Sequence, residues 1–372
     1  MAQKTRILII GPTPPPHHGV AVAMQSILDS ELCASCRIVH LDLSDRRGIA
    51  HVDHPDVHDA VLFCRQWARL LNTLIRERPR VVYLPISQST VGFLRDSLLI
   101  WPSYLWGGHI VLHLHGGNFR TWYESCGWMM KAYVRRVLKL AERVIVLEES
   151  LKTIFSGLVD DEKISVVPNG VDWDKREPAM ETFPKRRKHR ILYLSTVNRQ
   201  KGALVLLAAI PFMERIRSDV EFIFAGPWSS QRDRVEADAF VERQNLAESV
   251  SFIGSVEGEE KQALFTSADL FVFPGIQQEG QPLVVLEAMA AGIPVIFTHR
   301  GCLRETVADA GLEVEINNPH ALAERILWLL NHPDEMQRMG RAGRNRHEMF
   351  YTHDRFIERM ARIFESVTHE TL

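Results

Sequence analysis

Two glutamates eight positions apart carry the clearest chemical signal in this 372-residue chain. They lie in Phe273-Pro-Gly-Ile-Gln-Gln-Glu279-Gly-Gln-Pro-Leu-Val-Val-Leu-Glu287-Ala-Met-Ala-Ala-Gly-Ile-Pro-Val-Ile296, which reads as strand, loop, small-residue helix and strand. Glu279 falls in the loop and Glu287 on the helix. That separates the carboxylates along one wall, so each can accept hydrogen bonds from different hydroxyls of one polyol. Amides near the helix start can meet a phosphate. The plainer alternative is two solvated glutamates, one of them simply favouring a helix.

Two further segments could do chemistry. In Ile110-Val-Leu-His113-Leu-His115-Gly-Gly the two histidines share a strand face, and His115 ends the strand just before two glycines. That is where α/β folds place functional groups; a capped histidine buried against the next helix fits equally. No Asp, Glu or Cys stands near enough in sequence to complete a metal site. The loop Gly11-Pro-Thr-Pro-Pro-Pro-His-His-Gly19 follows a strand and precedes a helix. It is not G-x-G-x-x-G and its prolines remove amide donors, so a nicotinamide site is poorly supported. Gly19 is the position in it suited to close backbone approach.

Positioning such groups takes alternating elements, and the chain has them. Strand candidates are Arg6–Ile10, Arg37–Leu41, Val81–Leu84, Ile110–Leu114, Val144–Leu147 and Ser165–Val167, with helical patterns at Val20–Leu28, Ala60–Arg76 and Met129–Ala141. Glu177–Arg190, with two prolines and a dense basic run, reads as a linker. Alternation restarts at Ile191–Leu194, with a helix from Ala203 and strands at Val220–Phe224, Val250–Ile253, Leu270–Phe273 and Pro294–Phe297; the tail Asn345–Thr368 reads as an amphipathic helix. Apolar strands alternating with helices predict parallel sheets covered on both faces, in two halves. A ligand cleft is expected between them, at the C-terminal ends of the strands.

Composition narrows the function. The chain is 46% apolar and 24% charged, with 44 Lys+Arg against 46 Asp+Glu. That is a globular balance with no global reason to expect nucleic acid. The longest apolar candidate, Leu98 to Leu114, is broken by Pro102, Gly107, Gly108 and His109, so no membrane span is expected. The start MAQKTRILII lacks a full signal-peptide core and cleavage site, and a cytoplasmic protein is expected. Cys33, Cys36, Cys64, Cys126 and Cys302 are odd in number and scattered, which argues against a disulfide framework. Cys33-x-x-Cys36 lacks the further ligands of a zinc site.

The Glu279-x7-Glu287 pattern, embedded in EGQPLVVLEAMAAGIPVI, resembles the signature of retaining glycosyltransferases of family 4, enzymes of the GT-B fold with two Rossmann-like domains. Supporting motifs follow in family order: the Gly19 loop, His115-Gly-Gly, Val166-Val-Pro-Asn-Gly-Val-Asp172, Leu194-Ser-Thr-Val-Asn-Arg-Gln-Lys201-Gly202, Phe222-Ile-Phe-Ala-Gly226, Phe252-Ile-Gly254 and Ala268-Asp269. The resemblance covers nearly the whole chain and is most specific in its C-terminal half. It implies an acceptor-side domain at residues 1–180, joined by a tail helix at about 350–372, and a nucleotide-sugar domain at 181–349.

The resemblance also implies roles. Glu279 would bind hydroxyls of the transferred sugar and Glu287 those of the ribose. Lys201 would neutralise the departing diphosphate. His115 would contact the donor sugar near the reacting carbon, and Gly19 would let its loop approach the donor phosphate. Gly254 and Val256 would border the base, and Gly280, Gln281 and Leu283 would line the donor. Neither metal nor cofactor is implied. The partners would be a nucleotide-sugar donor and a glycan or lipid-linked acceptor, in cell-surface polysaccharide biosynthesis. A sugar-nucleotide epimerase or hydrolase of the same fold, and a non-catalytic two-lobed binder, are the alternatives.

Three positions depart from the family pattern. Thr196 stands where many relatives carry a second diphosphate-binding arginine, and Arg199 is a candidate substitute. Pro282 replaces a glycine and cannot donate an amide; Gln281 and Leu283 still can. Cys302 replaces a glycine and reads as a small buried residue. Asp172-Trp-Asp174 matches D-x-D but reads as turn carboxylates. His51, His54 and His58 sit among Asp53, Pro55 and Asp56, which suits a surface turn.

On the acceptor side, Lys131, Arg135, Arg136, Lys139 and Arg143 lie on a stretch also rich in Val, Leu and Tyr. Such a helix can rest on an anionic inner membrane surface or simply present a solvated face. Trp101, Trp106, Trp122, Tyr123 and Trp128 are expected around the His115 loop, where aromatics stack on sugars or fill a core.

Overall fold

A computed structural model describes residues 4–15, 19–32, 36–44, 57–173 and 188–368, with only the backbone path at 57–60 and 215–217. Cys33, His51, Asp53, His54, Pro55, Asp56, Asp174 and most of the Glu177–Arg190 linker lie outside the described residues, as do His17, His18 and the side chain of His58. Cys36, Cys64, Cys126 and Cys302 form no disulfide among the described residues.

The chain divides into two compact units, Met1–Gly170 with His353–Leu372, and Val171–Thr352. The first unit holds strands β1 (Arg6–Gly11), β2 (Arg37–Asp42), β3 (Val81–Pro85), β4 (His109–His113), β5 (Ala141–Val146) and β6 (Ile164–Val166) in the order β2-β1-β3-β4-β5-β6. All its pairings are parallel; Ile7, for example, lies between Ile38 and Val81. The central strands are Ile, Val and Leu runs buried on both faces, as a parallel sheet with crossover helices requires.

The second unit repeats the plan. Strands β7 (His189–Leu194), β8 (Val220–Ala225), β9 (Val250–Gly254), β10 (Leu270–Phe273), β11 (Val295–Thr298) and β12 (Gly311–Val314) run in the order β12-β11-β10-β7-β8-β9, again all parallel. In each sheet the chain builds outward from its first strand and then crosses to the other side. The order therefore reverses between β1 and β3 in the first unit and between β7 and β10 in the second. At such a reversal the loops leaving neighbouring strands diverge to opposite faces and open a crevice at the C-terminal strand ends.

Two helices differ from expectation. The pattern at Met129–Ala141 ends earlier: the helix is Trp128–Leu138, and Ala141 instead opens β5 beside Ile110. Ladder pairing outcompetes continuation of the helix because it satisfies the backbone of a buried strand between β4 and β6. The tail is also not one helix. Pro333–Arg346 passes through a wide turn at His347–Tyr351, stops at Thr352, and restarts as His353–Thr368. Val171 captures the break: its N–H donates to the Tyr351 carbonyl at 2.9 Å, and His347 Nε2 lies 3.1 Å from the Val171 carbonyl. The restarted helix buries Phe356, Met360, Phe364 and Val367, one face at helical spacing, in the core with Ile7, Ile9 and Tyr83 of the first unit.

A buried cation ties the start of the second sheet. The Arg190 side chain is 2% exposed, donates to Glu221 Oε2 at 3.3 Å and also reaches Ser267 Oγ, while its backbone N–H donates to Asp269 Oδ2 at 2.7 Å. Burial raises the Asp269 carboxyl above its ordinary range, partly opposed by His189. Replacing Arg190 with alanine removes the charge partner of Glu221 and leaves a void. Urea unfolding should show a loss of about 3 kcal/mol, the low end for a broken buried pair because Glu221 keeps some solvent. A loss under about 1 kcal/mol would place this pair with solvent-screened surface bridges.

Candidate active site

The reversal between β7 and β10 brings together two loops that the sequence keeps far apart. Ser195–Gly202 leaves β7 and Pro274–Pro282 leaves β10. They are stitched by the N–H groups of Ile276 and Gln277, which donate to the Gln200 carbonyl at 2.8 and 3.3 Å. Gly202 makes the approach possible. Its φ is +84°, and a Cβ there would lie 2.0 Å from the Pro274 carbonyl oxygen; only glycine accepts both conditions. Tyr193, buried in β7, holds the first loop from below: its hydroxyl donates toward the carbonyls of Thr196 at 3.0 Å and Lys201 at 3.3 Å. The Lys201 N–H donates to Asn198 Oδ1 at 2.7 Å.

So placed, Lys201 meets Glu279. Its Nζ donates to both carboxylate oxygens, at 2.8 and 2.9 Å, and Gln277 Nε2 adds a third bond at 3.0 Å. Glu279 is 7% exposed, and these three bonds satisfy its buried oxygens. Arg199 points elsewhere: it pairs with Glu236 on the exposed helix Gln231–Arg243 at 2.7 Å. Surface pairs of this kind contribute little. The Thr196 position supplies its carbonyl to Tyr193 instead of a cation.

The helix Leu283–Ala291 starts at Pro282 and packs Val285, Leu286, Ala288 and Met289 into the core. Small residues let it lie close to the sheet, and Glu287 projects toward the helix Gly258–Ser267. There Lys261 Nζ donates to Glu287 Oε1 at 2.5 Å. Glu287 Oε2 is buried and has no hydrogen-bond partner among the described residues. Each of the two spaced glutamates thus carries its own lysine. Lys261 was not anticipated from the motifs; its one local sign is that it stands on the helix opening just after Gly254 and Val256, between acidic and apolar neighbours.

The remaining positions are placed as follows. Gly254 ends β9 with φ +77° and its carbonyl accepts the Gly226 N–H at 2.7 Å; Val256 is buried. Gly280 accepts from Cys302 Sγ at 3.0 Å, and the buried Gln281 donates to Thr306 Oγ1 at 3.3 Å. Leu283 packs partly buried against the core. Cys302 is 1% exposed, the small buried residue its setting suggested. Among the described residues no three His, Cys, Asp or Glu side chains are grouped to hold a metal ion.

In the first unit, His113 rather than His115 is the fully buried histidine. Its Nδ1 lies 2.7 Å from the Tyr83 hydroxyl, and burial, then the neighbouring His115, push its imidazole well below the ordinary value. His115 is half-buried and its ring lies against that neutral ring, tilted by 31° with centroids 3.9 Å apart. Gly19 opens the helix Gly19–Leu28, is exposed, and a Cβ there would meet nothing within 4 Å. The expected aromatic group separates. Trp122 and Tyr123 are core residues, Trp122 packing with Phe93 and Phe119, whereas Trp106 and Trp128 are exposed.

Two all-parallel, six-stranded α/β units with this strand order are those of the GT-B fold. A glycosyltransferase from Rickettsia africae has the same fold, with a TM-score of 0.76 at 17% identity over 98% of this chain and 99% of that one. Family profiles agree: residues 18–175 match "Glycosyltransferase Family 4" and residues 175–346 match "Glycosyl transferases group 1". The chain belongs to the family 4-like GT-B glycosyltransferases. Among curated relatives, a GDP-mannose-dependent monoacylated alpha-(1-6)-phosphatidylinositol monomannoside mannosyltransferase of Corynebacterium glutamicum is 28% identical over 65% of this chain and 68% of its own length. A phosphatidyl-myo-inositol mannosyltransferase of Mycobacterium leprae is 29% identical over 63% of this chain; the match spans 58% of that protein.

Proposed function

We propose that this enzyme transfers a hexose-type sugar from a nucleotide diphosphate donor to a hydroxyl of a glycan or lipid-linked acceptor, with retention of anomeric configuration and without a metal ion. The observation that carries the reading is the pair of lysine-held glutamates at the β7/β10 reversal. Glu287 keeps one buried oxygen without a partner among the described residues, which two ribose hydroxyls would satisfy. Lys201 sits where the loops after β7 and β10 meet. It would exchange its Glu279 contact for the diphosphate as charge develops on the leaving group, and Glu279 would then accept from the sugar hydroxyls. The amides of Gln281 and Leu283, at the start of the Leu283–Ala291 helix, add a positive end for phosphate; Pro282 adds none. The leaving diphosphate would help take the acceptor proton, so no side-chain nucleophile is needed.

Both named relatives carry phosphatidylinositol in their names, which supports a lipid-linked acceptor met at the cytoplasmic membrane surface. Among the described residues no helix is long and apolar enough to cross a membrane.

Thermal unfolding with UDP-, GDP- and ADP-sugars tests the donor site. A ligand that binds only the folded state raises the midpoint, by about 2.7 kcal/mol of stability at a hundredfold excess over its dissociation constant. One nucleotide class should raise the midpoint, and Glu287→Ala should abolish the rise, the variant's own midpoint being the same with and without donor. No shift with any donor, for folded protein at saturating concentrations, overturns the proposal.

A further inference from the structure

The first unit presents an apolar surface that its own core does not use. Along the helix Thr90–Leu105, Val91, Leu94, Leu98 and Leu105 are all exposed, Val91 by 67% and Leu105 by 75%. Their spacing of three, four and seven puts them on one stripe. The helix has a second, buried stripe through Phe93, Ser97 and Ile100, so the outward one is surplus to folding. Beside it runs the helix Trp128–Leu138, joined to it by Tyr133, whose hydroxyl donates to Ser97 Oγ at 2.7 Å. At its start Trp128 is 78% exposed and Met129 67%. Between the two helices lies a groove of about 430 Å³ lined by Leu94, Trp128, Met129, Met130 and Tyr133. A run of exposed Leu, Val, Met and Trp of this extent is uncommon on a soluble face and marks an interaction surface.

Charge selects what covers it. Between Trp128 and Lys139 there are four basic residues, Lys131, Arg135, Arg136 and Lys139, and no acidic one. Across the helix Thr90–Leu105 the sole carboxylate is Asp96, which is buried and held by Arg95 at 2.8 Å. The exposed apolar stripe is therefore flanked by cations with no exposed carboxylate on either helix. Exposed Trp beside Leu and Met, flanked by Lys and Arg, matches the headgroup boundary of an anionic bilayer: the apolar side chains enter the acyl edge and the cations meet phosphates.

We propose that the Thr90–Leu105 and Trp128–Leu138 helices form a docking face for the surface of an anionic phospholipid bilayer. The proposal deepens the lipid-linked-acceptor reading and rests on it for its biological sense. Its test uses neither donor nor acceptor, so the two can fail separately.

The full chain is sedimented with phosphatidylcholine vesicles with and without phosphatidylglycerol, while tryptophan emission is followed. Binding to the phosphatidylglycerol vesicles with a blue shift, weakened by salt and weak on phosphatidylcholine alone, is expected. Lys139→Gln should reduce partitioning about fivefold, the effect of one cation near such a surface. Trp128→Ser and Leu105→Ser change exposed side chains; each should reduce binding without altering the thermal midpoint of the free protein. No binding to phosphatidylglycerol vesicles, or equal binding to both kinds, overturns the proposal. So does self-association in sedimentation velocity that Trp128→Ser abolishes, since a second copy would then own the surface.

Discussion

Lys201→Met should lower kcat for sugar transfer by about 10²–10³-fold, the cost of removing one preorganised group that stabilises charge in the transition state. Methionine keeps most of the stem volume and removes only the ammonium. The size of the effect follows from how Lys201 is held. Its loop is fixed at three points, by Tyr193, Asn198 and the Ile276 amide, and its Nζ is already desolvated against Glu279 and above the Phe273 ring at 5.9 Å. A charge held this way would have only to pass from Glu279 to the diphosphate, with little movement of its loop. Glu279→Gln supplies the contrast. It takes away the carboxylate that competes for Lys201, so binding of the nucleoside diphosphate alone, read by thermal shift, should be kept or strengthened while turnover falls. Unchanged turnover in Lys201→Met, with folding intact, would remove Lys201 from the machinery. Loss of diphosphate binding in Glu279→Gln would show that the pair acts as one structural unit.

Gly301→Ala should disable the enzyme without touching a charged group. Gly301 has φ +59°, and a Cβ there would lie 1.7 Å from the Glu279 carbonyl oxygen and 2.7 Å from its carbon. The left-handed conformation alone costs an ordinary residue about 1–2 kcal/mol. The overlap is with backbone, so it cannot be relieved by a rotamer change, and the loop carrying Glu279 must move. A displacement near 1 Å at such a position costs about 10²-fold in rate. Gly254→Ala separates the two causes. Gly254 has φ +77° but open space where a Cβ would go, so it should lose only the conformational part of the stability. If Gly301→Ala destabilises no more than Gly254→Ala and retains activity, the close approach to Glu279 is not needed for function.

Element type is legible in the sequence where neighbours in the chain determine it. Runs such as Arg6–Ile10 and Leu270–Phe273 are too apolar and β-branched to sit anywhere but in a doubly covered sheet. Gly-Ile-Pro at 292–294, between the Leu283–Ala291 helix and β11, signals a helix end before a strand, and Gly292 adopts φ +76° there. Where distant backbone competes, local pattern was not enough. The tail pattern runs through Thr352 without a breaker residue. The helix stops there because Val171, far away in sequence, supplies the hydrogen bonds.

By itself the sequence determined the element types, the parallel α/β class and the residues able to do chemistry, Glu279 and Glu287 above all. These depend on side-chain type and short-range spacing, which a chain displays directly. Tertiary structure alone decided which charges meet. Lys201 reaches Glu279 across 78 residues and Lys261 reaches Glu287 across 26, while Arg199, two residues before Lys201 in the same loop, is drawn to Glu236. It also decided that Trp122 is core and Trp128 is surface, and that a helix as apolar as Thr90–Leu105 leaves one stripe uncovered. Periodicity says which residues share a face; only the packing of distant elements says what, if anything, that face is pressed against.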